Sequence, residues 1–223
     1  AGQGVMLIDP HGDLVQRLAN AIPPKRQADL IYLEVADTTL GFNPLEGIAA
    51  SRRALAATFF LGVFKKIWHD SWGPRLEHIL RHALLALMDR PDATLGDILR
   101  MLDDESFRRD VARISAHTPV RDFWLREYES YPARFRVEAI APIQNKVGAF
   151  LAHPILHRIL SQPKSSFVLR DVMDQGRILL VNLAKGRLGE DPASLLGALL
   201  VSAVELAALS RADVPERASI GRF

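Results

Sequence analysis

The apolar positions of the chain change period twice. Val5-Met6-Leu7-Ile8 is an unbroken apolar run, the pattern of a strand buried on both faces. It stops at Asp9-Pro10-His11-Gly12, after which Leu14, Leu18 and Ile22 recur at helical spacing as far as Pro23-Pro24. Leu30-Ile31-Tyr32-Leu33-Glu34-Val35 reads as a second strand, so residues 5–35 predict a βαβ unit with parallel strands and a right-handed crossover. From about Ser51 to about Pro163 the helical period takes over. Leu76, Ile79, Leu80, Ala83, Leu84 and Leu87 form one apolar stripe, and Thr94-Leu95-Gly96-Asp97 fits an N-terminal capping pattern ahead of Ile98, Leu99 and Leu102. Further helices are predicted around residues 107–114, 123–128, 137–151 and 155–160. The third stretch has a short extended piece at Phe167-Val168-Leu169, a buried strand over residues 177–183 and a long apolar helix over 192–210, with Pro192 in its first turn.

This order predicts an α/β fold in which an all-helical domain (residues 51–165) is inserted into one parallel sheet built from residues 1–50 and 166–223, because each flanking part has too few strands to stand alone. No repeat with a period of 20–50 residues is visible. The apolar runs at 54–64 and 195–209 are shorter than the roughly 20 residues of a membrane span, and the second carries Glu205, so both read as buried helices. Ala1-Gly2-Gln3-Gly4 runs straight into the first strand without a signal pattern, and residues 218–223 stop as though another strand were about to begin. Both ends read as cut from a longer chain.

Composition narrows the function classes. The 223 residues are 48% hydrophobic and 24% charged, which excludes disordered and fibrous architectures, and 28 Lys and Arg against 26 Asp and Glu neither demand nor exclude a polyanionic partner. The absence of cysteine removes disulfides, Cys-based zinc sites and a thiol nucleophile.

The sharpest local chemistry is Asp9-Pro10-His11-Gly12-Asp13, at the carboxyl end of a strand, where open α/β sheets place their ligands. Two carboxylates there could hold a divalent ion or orient a water, and Gly12 would let a ligand approach the backbone. In the alternative, Asp9 ends the strand and Asp13 stabilises the helix N-terminus. Asp9, His11 and Asp13 also resemble half of a metal-dependent phosphoesterase site, although neither strand 30–35 nor strand 177–183 adds His or Asp ligands. No phosphate-binding glycine loop is present: neither Gly2-Gln3-Gly4 nor Gly186-Arg187-Leu188-Gly189 matches, and strand 177–183 ends in Asn182 rather than an acid pair. His78 with His82 and His153 with His157 are spaced i, i+4 but lack a third ligand, so no metal site is expected. Arg108, Arg109, Arg113, Arg121, Arg126, Arg134 and Arg136 interleave with Phe123, Trp124, Tyr128, Tyr131 and Phe135, the residue types that track single-stranded nucleic acid. Acids at Asp110, Asp122, Glu127 and Glu129 offer the alternative of a mixed solvated face.

The run from Gly4 to Leu14, followed by Gly41-Phe42-Asn43-Pro44-Leu45, resembles the nucleotide-binding domain of type IV secretion coupling ATPases, in the HerA and FtsK class of DNA-pumping P-loop ATPases. Ile143-Gln144-Asn145-Lys146-Val147, residues 176–186 and the helix 195–211 are similar to later parts of that family, in its order. The resemblance implies a RecA-like sheet with an inserted all-helical domain, ATP and Mg2+ as cofactors, and DNA or nucleoprotein cargo. It also implies relaxase or secretion-system partners, a homo-oligomeric, hexameric ring, and work on the cytoplasmic side, with any inner-membrane anchor outside this segment. In that family the phosphate-binding loop precedes the position of Ala1 and the acidic strand follows that of Phe223, so the chain would be the middle of the ATPase and inactive by itself. By the same resemblance Asp13 is the candidate catalytic acid, Asp9, His11 and Gly12 lie near the nucleotide, and Arg211 is a candidate phosphate-sensing arginine. The rival expectation is a degenerate, non-catalytic ATPase core that binds DNA or a partner protein.

Overall fold

The computed structural model describes residues 3–213, so the strand expected to begin near residues 218–223 lies outside the described residues. The chain divides into two compact units: Ala1–Phe42 with Ser165–Phe223, and Asn43–Lys164 between them in sequence. The divide falls at Phe42, several residues before the change of period near Ser51.

The first unit is α/β. Its strands are β1 (Val5–Asp9), β2 (Leu30–Glu34) and β3 (Ile178–Asn182), all parallel in the order β1-β3-β2. The βαβ unit therefore exists, with helix α1 (Asp13–Ala21) as its crossover, but its two strands are not neighbours: β3 lies between them. Leu179, Leu180 and Val181 of β3 are fully buried. Among the described residues β1 pairs on one side only, which leaves Val5 exposed and Met6, Leu7 and Ile8 half-buried despite the unbroken apolar run.

The second unit is all-helical among the described residues. Its helices are α2 (Arg53–Ile67), α3 (Pro74–Met88), α4 (Asp97–Asp103), α5 (Glu105–Ile114), α6 (Thr118–Asp122), α7 (Tyr128–Ser130), α8 (Ala133–Leu151) and α9 (Pro154–Leu160), with a π-helical turn at Phe123–Glu127 joining α6 to α7. The stripe predicted on α3 is buried throughout. At the head of α4 the Asp97 carboxylate accepts from the Thr94 N–H at 2.8 Å, the acid half of a capping box, while the Thr94 hydroxyl donates to that same carboxylate at 3.2 Å.

The first unit is completed by α10 (Leu169–Asp174), α11 (Lys185–Leu188) and α12 (Glu190–Ser210). Of the extended piece expected at Phe167-Val168-Leu169, Val168 is extended and Leu169 already opens α10. Helix α12 has 21 residues, longer than its apolar run, and is the one helix among the described residues with the length and hydropathy, 1.9, of a membrane span. One side of it is built into the unit. A Cβ on Gly197 would come within 2.9 Å of Leu183 Cδ1, so the helix passes close to the strand end there and a larger residue would make that methyl shift.

The Gly41-Phe42-Asn43-Pro44-Leu45 element has a structural task in each unit. Gly41 exchanges hydrogen bonds with Ser166, its N–H donating to Oγ and its carbonyl accepting from the Ser166 N–H, both at 2.9 Å, and Phe42 stacks on Phe167. In the other unit the buried Asn43 donates to the carbonyls of Ala93 (2.8 Å) and Pro163 (2.9 Å) and accepts from the Leu45 N–H, tying the beginning, middle and end of that unit together.

Candidate functional site at the carboxyl ends of the strands

Strand register brings Asp9, Asn182 and Glu34 side by side, one at the carboxyl end of each strand. The Asp9 carboxylate is 9% exposed and accepts from three backbone amides: His11 (3.0 Å), Leu14 (2.9 Å) and Val15 (3.2 Å). It thereby closes the turn and caps α1, a task that Gly12 at the N-cap position has no side chain to perform. Burial pushes its pKa up, but the amides of His11, Val15, Gly12 and Leu14 outweigh burial and hold the carboxyl below its ordinary range. Capping thus belongs to Asp9 rather than to Asp13.

Gly12 has φ +94, and a Cβ there would fall 2.4–2.6 Å from the side-chain atoms of Asn182. Asn182 is fixed from both ends: Oδ1 accepts from the Ala184 N–H at 2.9 Å, and Nδ2 donates to Glu34 Oε2 at 2.7 Å. Ala184 is itself left-handed, with φ 49, a conformation that costs a non-glycine residue and collects at functional turns. The Tyr32 hydroxyl donates to the same Glu34 oxygen at 3.3 Å, and burial raises its pKa. Bonds from Leu183 N–H to the Asp9 carbonyl and from Lys185 N–H to the Pro10 carbonyl, both 2.9 Å, bind the two turns to each other.

Of the expected site residues, Asp9, His11, Gly12 and Asp13 do share one turn, with divided tasks. Asp9 and Gly12 are consumed in building it. His11 and Asp13 are exposed, and their side chains make no hydrogen bond or ion pair among the described residues. Arg211 stands apart. Its Nε lies 2.8 Å from Asp174 Oδ1 and its side chain is 13% exposed; Asp174 also binds Arg170, whose guanidinium donates to the Ser210 carbonyl. Asp174 precedes β3, so Arg211 is at the amino end of the sheet, about 16 Å of strand away from the turn at 3.3 Å per residue. Glu34 and Asn182 were the residues missed. Glu34 ends its apolar run as Asp9 ends its own, and that parallel is the signal that could have found it.

A metal set around Asp9, His11 and Asp13 finds no support, since no group of three or more His, Asp or Glu able to hold a metal exists among the described residues. The arginine and aromatic series of the helical unit also resolves differently. Arg108 is 2% exposed and donates to Glu129 Oε1 at 2.8 and 3.0 Å, while Arg109, Arg113, Arg126 and Arg134 each pair with an acid three or four residues away. Phe123, Trp124 and Tyr128 are buried in the unit's core. Three of the five aromatics thus belong to the core, while Tyr131 and Phe135 stay half-buried at the surface, with the Arg75 guanidinium 4.2 Å over the Phe135 ring. The His82 ring stacks on Phe123 at 4.1 Å, and burial pushes its pKa down. No family model, curated protein or solved structure matches the chain.

Proposed function

We propose that the chain is the central region of an ATP-driven DNA translocase of the type IV secretion coupling kind, its sheet part of a RecA-like domain and its helical unit the inserted domain that meets DNA, nucleoprotein or secretion partners. What carries the proposal is the division of labour in the Asp9–Asp13 turn. One carboxylate is committed to holding the turn and the next, on the first residue of α1, is left open at the carboxyl ends of parallel strands. The order of the motifs supports the same reading. ATP with Mg2+, when bound, supplies the phosphoanhydride and neutralises its charge. The residues fit such a ligand as follows: Gly12 removes side-chain bulk beside the strand ends, Asn182 and Glu34 fix those ends, His11 offers a ring N–H donor, and Asp13 orients the attacking water and accepts its proton. The Asp9 carboxylate, already holding three amides, is not counted as a metal ligand. The parent would work as a hexameric ring on the cytoplasmic side, with any membrane anchor outside this segment. Arg211 is given no part in it, because Asp174 engages it.

The test uses the full-length product of the encoding gene. It should hydrolyse ATP faster with DNA present, and Asp13→Asn should lower kcat about 100-fold or more while nucleotide binding is kept, the scale of general-base loss. Unchanged kcat in Asp13→Asn would overturn the role of Asp13. DNA binding without any hydrolysis would instead leave the non-catalytic binding module.

A further inference from the structure

A groove of about 560 Å³ opens on the helical unit where α2 is joined to α3, and the chemistry lining it is unlike the paired arginine face. Trp68, buried at the end of α2, stacks on Phe64 at 4.7 Å and against Phe150 at 5.9 Å. The half-buried Trp72 follows, its ring 6.4 Å from that of Trp68. Its Nε1–H donates to Glu77 Oε2 at 2.8 Å, Glu77 Oε1 accepts from Arg81 at 3.1 Å, and Arg81 donates onward to the Thr58 hydroxyl at 3.2 Å. This relay fixes the indole beside a guanidinium and uses up the indole's donor, so the ring offers a ligand only its π system. The Trp72 N–H, against burial and with help from Arg81 and Lys65, holds the Glu77 carboxyl below its ordinary range, so it stays ionised and balances Arg81. Lys65, exposed, makes no ion pair among the described residues and gives the groove an uncommitted ammonium. His69 and His78 also face in, each beside an acid, Asp70 at 3.0 Å and Glu127 at 3.4 Å.

A fixed aromatic ring beside an unpaired ammonium and an oriented guanidinium is the donor set that a nucleotide unit requires: stacking for the base, cations for the phosphate. We propose that this groove, centred on Trp72 and Lys65, holds a segment of single-stranded nucleic acid. The proposal rests on the reading of the protein as a DNA-handling one and assigns the contact to residues outside the arginine series. Stacking on Trp72 is indifferent to base identity, so the contact suits a cargo that moves past it rather than one recognised by sequence.

The experiment titrates the 223-residue chain into a fluorescein-labelled oligothymidylate of about 12 nucleotides, within the range of strand lengths such sites cover, reading anisotropy and tryptophan emission together. Trp68 and Trp124 are buried, so quenching reports Trp72. Trp72→Ala should weaken binding at least fivefold and Trp72→Phe should restore most of it, since the phenyl ring keeps the stacking surface. Lys65→Ala, at an exposed position, should weaken binding about threefold and reduce the salt slope by about one. Arg134→Ala, an exposed and paired control, should change little. Binding with no quenching and no loss in either the Trp72 or the Lys65 variant overturns the groove and leaves nucleic-acid cargo standing elsewhere on the chain. No binding at low salt overturns both the groove and nucleic acid as the cargo this segment contacts.

Discussion

Gly12→Ala puts a methyl group where Asn182 already is. The backbone at φ +94 costs an L-residue about 1–2 kcal/mol. The new Cβ, at 2.4–2.6 Å from Asn182 Nδ2, Oδ1 and Cγ, forces that side chain to rotate, and its bonds to Glu34 and to the Ala184 amide are lost at about 1 kcal/mol each. The loss should therefore be about 3–4 kcal/mol, confined to the α/β unit. Tryptophan fluorescence will not see it, because Trp68, Trp72 and Trp124 all belong to the helical unit; amide hydrogen exchange of peptides covering β1 and β3 will. The decisive comparison is a double-mutant cycle. Asn182→Ala removes the atoms that the methyl strikes, so in that background Gly12→Ala should cost only the backbone part, and the two losses should fall short of additivity by about 2 kcal/mol. If Gly12→Ala costs the same in both backgrounds, or nothing in either, the close approach of the two turns is not what selects glycine.

Two further predictions concern buried charge. Arg108→Ala should lower the stability of the helical unit by about 2–3 kcal/mol, because it leaves the buried carbonyls of Met101 and Leu102 without their donor, while the half-buried Glu129 keeps Arg136 at 3.9 Å; urea unfolding followed by tryptophan emission measures it, and a loss under 1 kcal/mol would mean that water replaces the guanidinium. Asp9 makes the α/β unit acid-sensitive. Its folded pKa lies below the ordinary 3.8, so its stabilisation is complete above that value and is lost as pH falls through the folded pKa. Exchange-derived stability of the β1 and β3 peptides, corrected for intrinsic rate, should fall as pH drops below 3.8, and Asp9→Asn should be less stable at neutral pH with a flatter acid limb; parallel curves would refute the assignment.

What could be read along the chain was local. The strand, turn and helix of residues 5–22, the stripe on α3 and the acid at Asp97 all follow from spacing within a few residues, and the i, i+4 pairs Glu105–Arg109 and Arg134–Glu138 are legible in the same way. What could not be read depends on partners far apart in sequence. The placement of β3 between β1 and β2 is a pairing across more than 140 residues, and nothing in the apolar run of β1 announces that one of its sides is unpaired. Arg108 looks like its neighbours until Glu129, 21 residues on, draws it into the core. Trp72 stands outside the stretch where aromatic and basic residues are dense in sequence, and within that stretch Phe123, Trp124 and Tyr128 turn into the core while Arg109, Arg113, Arg126 and Arg134 stay outside.

The two acids of the Asp9–Asp13 turn separate structure from chemistry in a way that mutation can exploit. A carboxylate that accepts three amides cannot accept a proton without weakening the N-terminus of α1 and the turn that presents Asp13. Asp9 variants must therefore lose stability and any activity together. Asp13 carries no such bonds, so an Asp13 variant that keeps the exchange protection of β1 and α1 isolates what the open carboxylate does. Glu34 sits between these cases. It is held by Asn182 and Tyr32 through one oxygen, Oε2, so Glu34→Gln keeps an acceptor for Asn182 and changes mainly the charge at the strand ends. Ranking the three variants by loss of protection against loss of hydrolysis distinguishes an ATPase centre from a folded turn that only looks like one. In a centre, Asp13→Asn departs from the line through the other two; in a mere turn, all three fall on it.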